Sequence, residues 1–421
     1  MAVIGEAIND VDDLKEALEN ASDNEVFFLN PDKTYECNND TTISVHAKNV
    51  RVIGCEPQFA ESTNPKGGRA VIRGDGKLTL KDCIGLQIRG FFFRLRLEMR
   101  ECEDCKIEYS DFHYDTIPSD TNRVHVLYIK DSARNHIYNC KFHDKDNEGV
   151  FLIIRKVDMD SKVKTKDNIV ERCEFCNHRF DDDGGESIVI GENNQANDDL
   201  HTEISNCWFH DLDADPETVS IKACGTNIHN CLHENNDSMF TVRHGFSTRI
   251  EQCVFRGRGG IRLYGKDNHV KDNYFSNNSD NERVPILLCN GNVPEEPPSG
   301  GAYTKVKDNH ITGNTFENCS TVCVQWGRDS RPEKPDNNHF LDNKIIADDG
   351  VNGCIALKFV EASKLNNDFA NNIIYAGENP SKERKKKIMG DLPQNLDQTI
   401  VLVRPEVMEP SIDLPYQWPS Q

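Results

Sequence analysis

Three basic side chains lie at nearly regular intervals between residues 216 and 275. They are Lys222 in TVSIKACG, Arg243 in FTVRHG and Arg262 in GGIRLYG, separated by 21 and then 19 residues. In each segment apolar residues alternate with the others, which is typical of a half-buried strand. If consecutive repeats stack, the cations form a column on the outer face with a spacing of about 5 Å. Such a column can bind an anionic group.

Two acidic segments come just before these cations. They read FDDDGGESIVIG at residues 180–191 and DLDADPETVSIK at residues 211–222. Each places carboxylates in a turn ahead of an outward-facing strand, so Asp183, Asp215 and Glu217 can meet on adjacent coils. Carboxylate oxygens suit calcium better than a soft transition metal. Solvated acidic loops are the alternative, since the chain has 70 Asp and Glu residues.

A short repeated phrase predicts the elements that hold these residues. A Cys, Asn or Ser is followed two residues later by an aromatic or aliphatic residue in most copies, and the first positions are Ser110, Cys140, Cys173, Cys207, Cys231, Cys253, Asn273, Asn314 and Asn343. This periodicity predicts a parallel β-helix with three short strands per coil, and the wider spacings predict inserted loops near the binding face. The alternation of Cys and Asn predicts an internal ladder of stacked side chains.

The ends of the chain depart from the repeat. Val11, Leu14 and Leu18 recur at helical spacing after the capping candidate Asp10, which predicts a helix covering the first coil. We expect a cap over residues 1–23, one β-helix domain over 24–378 and a C-terminal tail over 379–421 that packs on the β-helix. The basic run at residues 382–387 is interpreted as a solvated surface segment.

Composition excludes several classes of protein. The net charge of −21 argues against nucleic-acid binding, because such proteins concentrate positive charge. The sequence has no apolar segment of about 20 residues, so no membrane span is predicted. Residues 1–10 do not resemble a signal peptide, although a removed leader would give the same sequence. The 16 cysteines are interpreted as buried free thiols that act as small hydrophobic side chains. Oligomeric state has no signature here.

Residues 183–275 resemble the polysaccharide lyase family 6 of alginate lyases, which includes chondroitinase B-type enzymes. The matching motifs are DGGESIVIG at 183–191, PETVSIKACGTNIHNC at 216–231, FTVRHG at 240–245 and GGIRLYG at 259–265. The resemblance implies an all-β fold, a right-handed parallel β-helix with an N-terminal capping helix. It also implies a secreted or periplasmic enzyme that acts on an anionic polysaccharide, alginate, and uses Ca²⁺.

The same resemblance assigns roles to individual residues. It implies that Lys222 is the base and Arg243 the acid, and that calcium is held by Asp183, Asp215 and Glu217. Family members often carry Asn at the position of Asp183 and Glu at that of Asp215, and all of these side chains supply oxygen ligands. The side chains expected to bind neighbouring uronates are His244, Arg262 and Tyr264.

β-Elimination explains why such groups are needed. The proton on carbon 5 of a uronate is a poor acid while the adjacent carboxylate keeps its charge, so a cation must neutralise that carboxylate first. A nearby metal and Arg243 favour the neutral amine of Lys222, which can then accept the proton. Three alternatives remain open at this point: a chondroitin or dermatan sulfate lyase, a uronate C-5 epimerase, and a non-catalytic polysaccharide-binding β-helix.

Overall fold

The computed structural model describes residues 8–55, 68–113, 124–179, 184–295, 301–328, 330–360, 366–392, 399–401 and 403–413. The chain divides into two compact units. The first unit comprises the described residues within 8–190 and 200–208, and the second comprises those within 191–199 and 209–413. Asp183, one of the expected metal ligands, lies outside the described residues.

The first unit contains one helix and a series of mostly short strands. The elements are α1 Val11–Glu19, β1 Val26–Phe28, β2 Thr34–Glu36, β3 Thr41–Ser44, β4 Arg51–Ile53, β5 Ala70–Lys81, β6 Gln87–Arg89, β7 Phe91–Arg100, β8 Lys106–Glu108, β9 Asp111–Phe112, β10 Leu127–Lys130, β11 His136–Tyr138, β12 Lys141–Lys145, β13 Leu152–Arg155, β14 Ile169–Glu171, β15 Glu174–His178, β16 Ile188–Ile190 and β17 Glu203–Ser205.

The second unit repeats the same kind of element. After β18 Trp208–Leu212, whose first residue belongs to the first unit, come β19 Glu217–Ile221, β20 Asn227–His229, β21 Leu232–Glu234, β22 Met239–Val242, β23 Arg249–Glu251, β24 Val254–Arg256, β25 Gly260–Leu263, β26 His269–Lys271, β27 Tyr274–Ser276, β28 Ile286–Leu288, β29 His310–Thr312, β30 Thr315–Glu317, β31 Val322–Trp326, β32 His339–Leu341, β33 Lys344–Ile346, β34 Ile355–Phe359, β35 Asp368–Ala370, β36 Ile373–Tyr375, α2 Lys382–Met389 and β37 Thr399–Val401. A 3-10 turn spans Asn193–Gln195.

Within each unit, most strands pair in parallel with the strand three places later in the chain. In the second unit β19, β22, β25, β28, β31 and β34 form one such series, and β20, β23, β26, β29, β32 and β35 form another. In the first unit β10, β13 and β16 follow the same rule. One coil therefore consists of three strands. The expected fold class, a right-handed parallel β-helix with an N-terminal capping helix, is confirmed.

Stacked side chains fill the interior of the coils, as the repeated phrase predicts. In the second unit the Nδ2 of Asn273 donates to the Oδ1 of Asn314 at 3.0 Å, and Asn314 donates in the same way to Asn343 at 3.1 Å. In the first unit the rings of Phe112 and Phe142 stack with their centroids 4.5 Å apart. All 16 cysteines are buried and none forms a disulfide. The predicted ladder and the interpretation of the cysteines as buried thiols are confirmed.

The left-handed backbone needed at the coil corners comes from short polar residues. Asn139 and Asn206 adopt φ values of 52° and 55°, and Asn230 and Asp272 adopt 53° and 54°. Each of these residues directly precedes a ladder position. Asn and Asp tolerate this conformation better than most residues, so the sequence can turn sharply without glycine at every corner.

Both ends contain a short helix. Helix α1 begins after Asp10, whose side chain accepts a hydrogen bond from the backbone N–H of Asp13 at 2.9 Å. Its apolar side chains, Val11, Leu14 and Leu18, are buried, as predicted for a cap.

The basic run differs from its interpretation as a purely solvated segment. It forms helix α2, and Arg384 donates hydrogen bonds to the backbone carbonyls of Ala347, Asp348, Val351 and Ala376. Several lysines of this run are exposed. Arg384 differs from them because its guanidinium has five N–H donors, which can bind several carbonyl groups of the adjacent turns. Neither described helix is long and apolar enough to cross a membrane.

Candidate functional site

A β-bulge in strand β19 gives the site its central carboxylate. The pairing of β19 with β22 shifts between Glu217 and Val219, so two residues of β19 oppose one step of the partner strand. Val219 and Ile221 point into the interior and are fully buried. The shift brings Glu217 to the side occupied by Ser220, whose hydroxyl donates to the Oε2 of Glu217. Without the bulge, strict alternation would separate these two side chains.

Two arginines converge on this carboxylate. The Nη1 of Arg243 lies 3.4 Å from the Oε1 of Glu217, and the Nη2 of Arg262 donates to the same oxygen. The Glu217 side chain is 4% exposed, whereas those of Arg243 and Arg262 are 31% and 21% exposed. The carboxylate therefore lies beneath the two guanidinium groups and holds them at the surface. An anionic ligand can reach the guanidinium groups from solvent.

The register of the strands differs from the predicted column of cations. Ile221 pairs with Val242 and Val242 with Leu263, so the residues that follow them, Lys222, Arg243 and Tyr264, are level with one another. Arg262 pairs with Thr241 and lies two positions earlier along its strand. The predicted column is wrong at this position, because Arg262 stands inside β25 while the other two cations follow their strands. Its long side chain nevertheless reaches Glu217.

An aromatic wall stands beside the cations. The ring of Tyr303 stacks on Tyr264 with a centroid distance of 4.4 Å and faces His244 at 5.9 Å. The guanidinium of Arg331 donates to the hydroxyl of Tyr264 at 3.0 Å and lies 4.3 Å from the centroid of Tyr303. The Arg243 guanidinium lies 5.5 Å from the same ring. Aromatic and cationic side chains thus alternate along this wall. Such a surface suits a ligand whose ring has a charged substituent.

The electrostatic environment sets the charge of two of these groups. Burial lowers the pKa of Arg262, whereas the neighbouring Glu217 carboxylate raises it. The net shift of this pKa is upward, so the guanidinium stays charged. Burial is also the largest cause of the raised pKa of Tyr264, followed by the neighbouring Cys289 thiol. Tyr264 therefore remains a neutral phenol that can donate a hydrogen bond.

His244 and Asp215 have local structural contacts as well. His244 is 2% exposed, and its backbone N–H donates to the carbonyl of Ile221 at 3.1 Å. Gly245, the next residue, adopts φ of 84°, and a Cβ there would lie 2.5 Å from the carbonyl oxygen of Ala223. A glycine is therefore required for the chain to turn after His244. Asp215 is half-buried and accepts the backbone N–H of Glu217 at 2.8 Å.

Sequence reasoning missed Tyr303 and Arg331. Both lie between the regular strands, in segments without the repeated phrase. The available signal was their place in wide spacings between repeats, since inserted loops on solenoids gather around the binding face. That signal indicates a region, but it does not identify which side chains reach the site.

The expected calcium ligands have the type of donor atom that calcium binds. Asp215 and Glu217 supply carboxylate oxygens, which calcium prefers. Glu217 also accepts hydrogen bonds from Ser220, Arg243 and Arg262, so a bound ion would share this carboxylate with two guanidinium groups.

The model of the Chondroitinase B family matches residues 54–345 of this chain. No curated protein sequence matches significantly. Among solved structures, the PL6 family alginate lyase AlyGC is similar with a TM-score of 0.73 and 18% identity, over 93% of this chain and 53% of that one. This chain therefore spans about half the length of that lyase.

Two further structures are similar along most of both chains. One is a mannuronic acid specific family 6 lyase from human gut microbiota, with a TM-score of 0.68 and 19% identity over 94% of this chain and 90% of that one. The other is described as a new PL6 alginate lyase in complex with a trisaccharide, with a TM-score of 0.69 and 15% identity over 95% and 87%. At these identities the likeness concerns the fold.

Proposed function

The chain belongs to the chondroitinase B family, and from that premise we propose that it is a polysaccharide lyase that cleaves alginate by β-elimination. The observation that carries the proposal is the convergence of Arg243 and Arg262 on the buried carboxylate of Glu217. This arrangement holds two guanidinium groups at fixed positions on the outer side of the coils. A carboxylated polymer presents one negative charge per sugar, so a fixed pair of cations suits it.

Lys222 is proposed as the base. It follows β19 at the level of Arg243 on the next coil, and neighbouring parallel strands are about 4.8 Å apart. Its amine accepts the proton from carbon 5 of the uronate, and the electron pair forms the double bond between carbons 4 and 5. The bond from carbon 4 to the glycosidic oxygen breaks in the same process.

Arg243 is proposed to act at the departing oxygen. Its guanidinium stabilises the negative charge that develops there, and the proton that completes the leaving hydroxyl comes from Arg243 or from water. Arg262, His244 and Tyr264 are proposed to bind uronates on either side of the scissile bond. Tyr303 and Arg331 extend this surface through stacking and charge.

Calcium is proposed as the cofactor, held by Asp183, Asp215 and Glu217. When bound, the ion would neutralise the substrate carboxylate and so make the carbon 5 proton more acidic. Removal of metal with a chelator is expected to abolish activity, and added calcium is expected to restore it. Full activity after exhaustive chelation, with no metal found by elemental analysis, would leave charge neutralisation to the arginines alone.

Alginate is chosen as substrate because two of the similar structures named above are described as alginate lyases. The enzyme is proposed to be secreted or periplasmic, where such polymers are encountered. Dermatan sulfate is the second candidate, since the matching family model is that of chondroitinase B.

Product analysis tests the proposed reaction. The protein is incubated with alginate, with purified mannuronate and guluronate blocks and with dermatan sulfate, while ultraviolet absorbance and product size are followed. We expect shorter products carrying the absorbance of an unsaturated sugar from alginate or its blocks. Inverted uronates without new absorbance would identify an epimerase, and binding without any product would identify a non-catalytic β-helix.

A further inference from the structure

We propose that His113, His143 and Asp144 form a binding site for a divalent transition-metal ion of the zinc type in the first unit. Each residue offers one ligand atom, and these atoms all lie within 4.8 Å of one another. The group is made of residues from adjacent coils and has no member in common with the site of Lys222 and Arg243.

The strand register explains why the two imidazoles meet. Asp111 pairs with Lys141 and Phe112 pairs with Phe142, so His113 and His143 follow at the same level of β9 and β12. The two phenyl rings stack inside the coil and are fully buried. Because side chains alternate along a strand, the histidines lie on the opposite side, with ring centroids 5.1 Å apart.

One nitrogen of His143 already has the partner that a metal-binding imidazole needs. Its Nε2 lies 2.9 Å from the Oδ2 of Asp111, and Asp111 is paired with Arg94 at 3.4 Å. A carboxylate in this position accepts a hydrogen bond from Nε2–H, which leaves Nδ1 as the nitrogen that can bind a metal. In this structure Nδ1 lies 2.6 Å from the Oδ2 of Asp144, which is hydrogen-bond distance, so a bound ion would replace the proton between these two atoms. With that proton displaced, His143 and Asp144 would form a ligand pair and Asp111 would be the orienting carboxylate.

Asp144 is also held in place for this role. Its Oδ1 accepts a hydrogen bond from the Nδ2 of Asn177 at 2.9 Å, so Oδ2 is the oxygen directed at His143. The His143 side chain is 11% exposed and that of Asp144 is 49% exposed, which gives an ion access from solvent.

The donor set selects the class of ion. Two imidazole nitrogens and one carboxylate oxygen suit Zn²⁺ and similar transition ions, whereas calcium and magnesium prefer an all-oxygen shell. The ion would link β9 to the end of β12 and so tie two successive coils together.

Zinc titration of the full chain tests this site. The protein is stripped with chelator, supplied with excess calcium to occupy oxygen-rich sites, and titrated with ZnCl₂ by calorimetry. We expect one equivalent of zinc to bind, and the dissociation constant to rise at least ~10-fold in His113→Ala and in Asp144→Asn. The matched control is His136→Ala, because His136 also contacts a carboxylate, Glu171 at 2.9 Å, in the same unit. This control should bind zinc like the parent chain.

Cobalt substitution distinguishes the proposed ligands from the buried thiols. Co²⁺ bound to nitrogen and oxygen should give visible absorption bands without the near-ultraviolet charge-transfer band of a thiolate ligand. Circular dichroism establishes that each variant is folded, and Asp144→Asn changes a half-exposed side chain if His113→Ala is unstable. The proposal is overturned if the parent chain binds no zinc, if all variants bind it equally, or if cobalt shows thiolate coordination.

Discussion

At the residue scale, Glu217 organises the candidate site. The sequence predicts it as a metal ligand, and in the structure it also pairs with Arg243 and Arg262. Removing one partner of a buried ion pair strongly destabilises the folded protein, because the remaining charge is left without a counter-ion. The position of Glu217 thus links the stability of the coil to the orientation of the two guanidinium groups.

Replacement of Glu217 tests this link. Glu217→Gln keeps the shape of the side chain but removes its charge, and we expect the free energy of unfolding to fall by about 3 kcal/mol because two half-buried cations lose their counter-ion. The control Ser220→Ala removes a single hydrogen bond to the same carboxylate and should cost about 1 kcal/mol. Urea denaturation provides both values. A loss for Glu217→Gln no larger than that for Ser220→Ala would contradict the central role of this carboxylate.

The two arginines are expected to respond differently to substitution by lysine. Lysine keeps the charge but replaces a planar fork of donors by a point charge. If Arg243 contacts the departing oxygen, Arg243→Lys lowers kcat by at least ~10²-fold, since the lost interaction is made in the transition state. Arg262→Lys should mainly raise KM. Steady-state kinetics on alginate separates the two cases, and an exchange of the two patterns would move the scissile bond by one coil.

At the element scale, the periodic part of the molecule is the part that the sequence predicts well. The repeated phrase places Phe112 and Phe142 in one stack and Asn273 and Asn314 in one ladder, because each strand contacts only the strands of neighbouring coils. The bulge at Glu217 was not predicted. The extra residue of a bulge cannot be recognised from the sequence when apolar residues alternate regularly on both sides of the bulge.

The asparagine ladder gives a prediction about stability. The side chain of Asn314 donates to the Val270 carbonyl at 2.9 Å and to Asn343 at 3.1 Å, and it accepts the backbone N–H of Asn273 at 3.0 Å. Asn314→Ala leaves these buried groups without a partner, so we expect a loss of about 3 kcal/mol in the free energy of unfolding. The exposed Asn352 provides a control, and Asn352→Ala should change stability by less than about 0.5 kcal/mol. Equal effects of both changes would show that the ladder contributes little.

At the scale of the whole molecule, the net charge and the repeat spacing predict the class of partner and the fold, but they do not predict the local arrangement of the site. The net charge of −21 argues against nucleic acid as a partner, but it does not reveal a local cluster in which Arg243 and Arg331 lie against the ring of Tyr303. The register of Arg262 differs from the prediction because the 19-residue spacing before Arg262 is not structurally equivalent to the 21-residue spacing before Arg243. Arg331 and Tyr303 could not be placed, since they lie in loops whose path depends on tertiary contacts.

The placement of Asp183, Asp215 and Glu217 around calcium stays a prediction, as do the domain limits at residues 23 and 378. The roles of Lys222 and Arg243 are proposals that rest on family membership and on the register of β19 and β22. These roles can be tested without knowing the preferred uronate, because loss of the base must suppress the elimination on any substrate.

The most direct test of the proposed reaction is the rate of ultraviolet absorbance increase on alginate for the parent chain and for Lys222→Ala. The account predicts a steady increase for the parent chain and a rate at least ~10²-fold lower for Lys222→Ala, with unchanged circular dichroism. Lys271→Ala removes an exposed lysine from β26, paired with Asp272 at 3.4 Å, and should retain the parent rate. A near-parental rate for folded Lys222→Ala would contradict the assignment of Lys222 as the base.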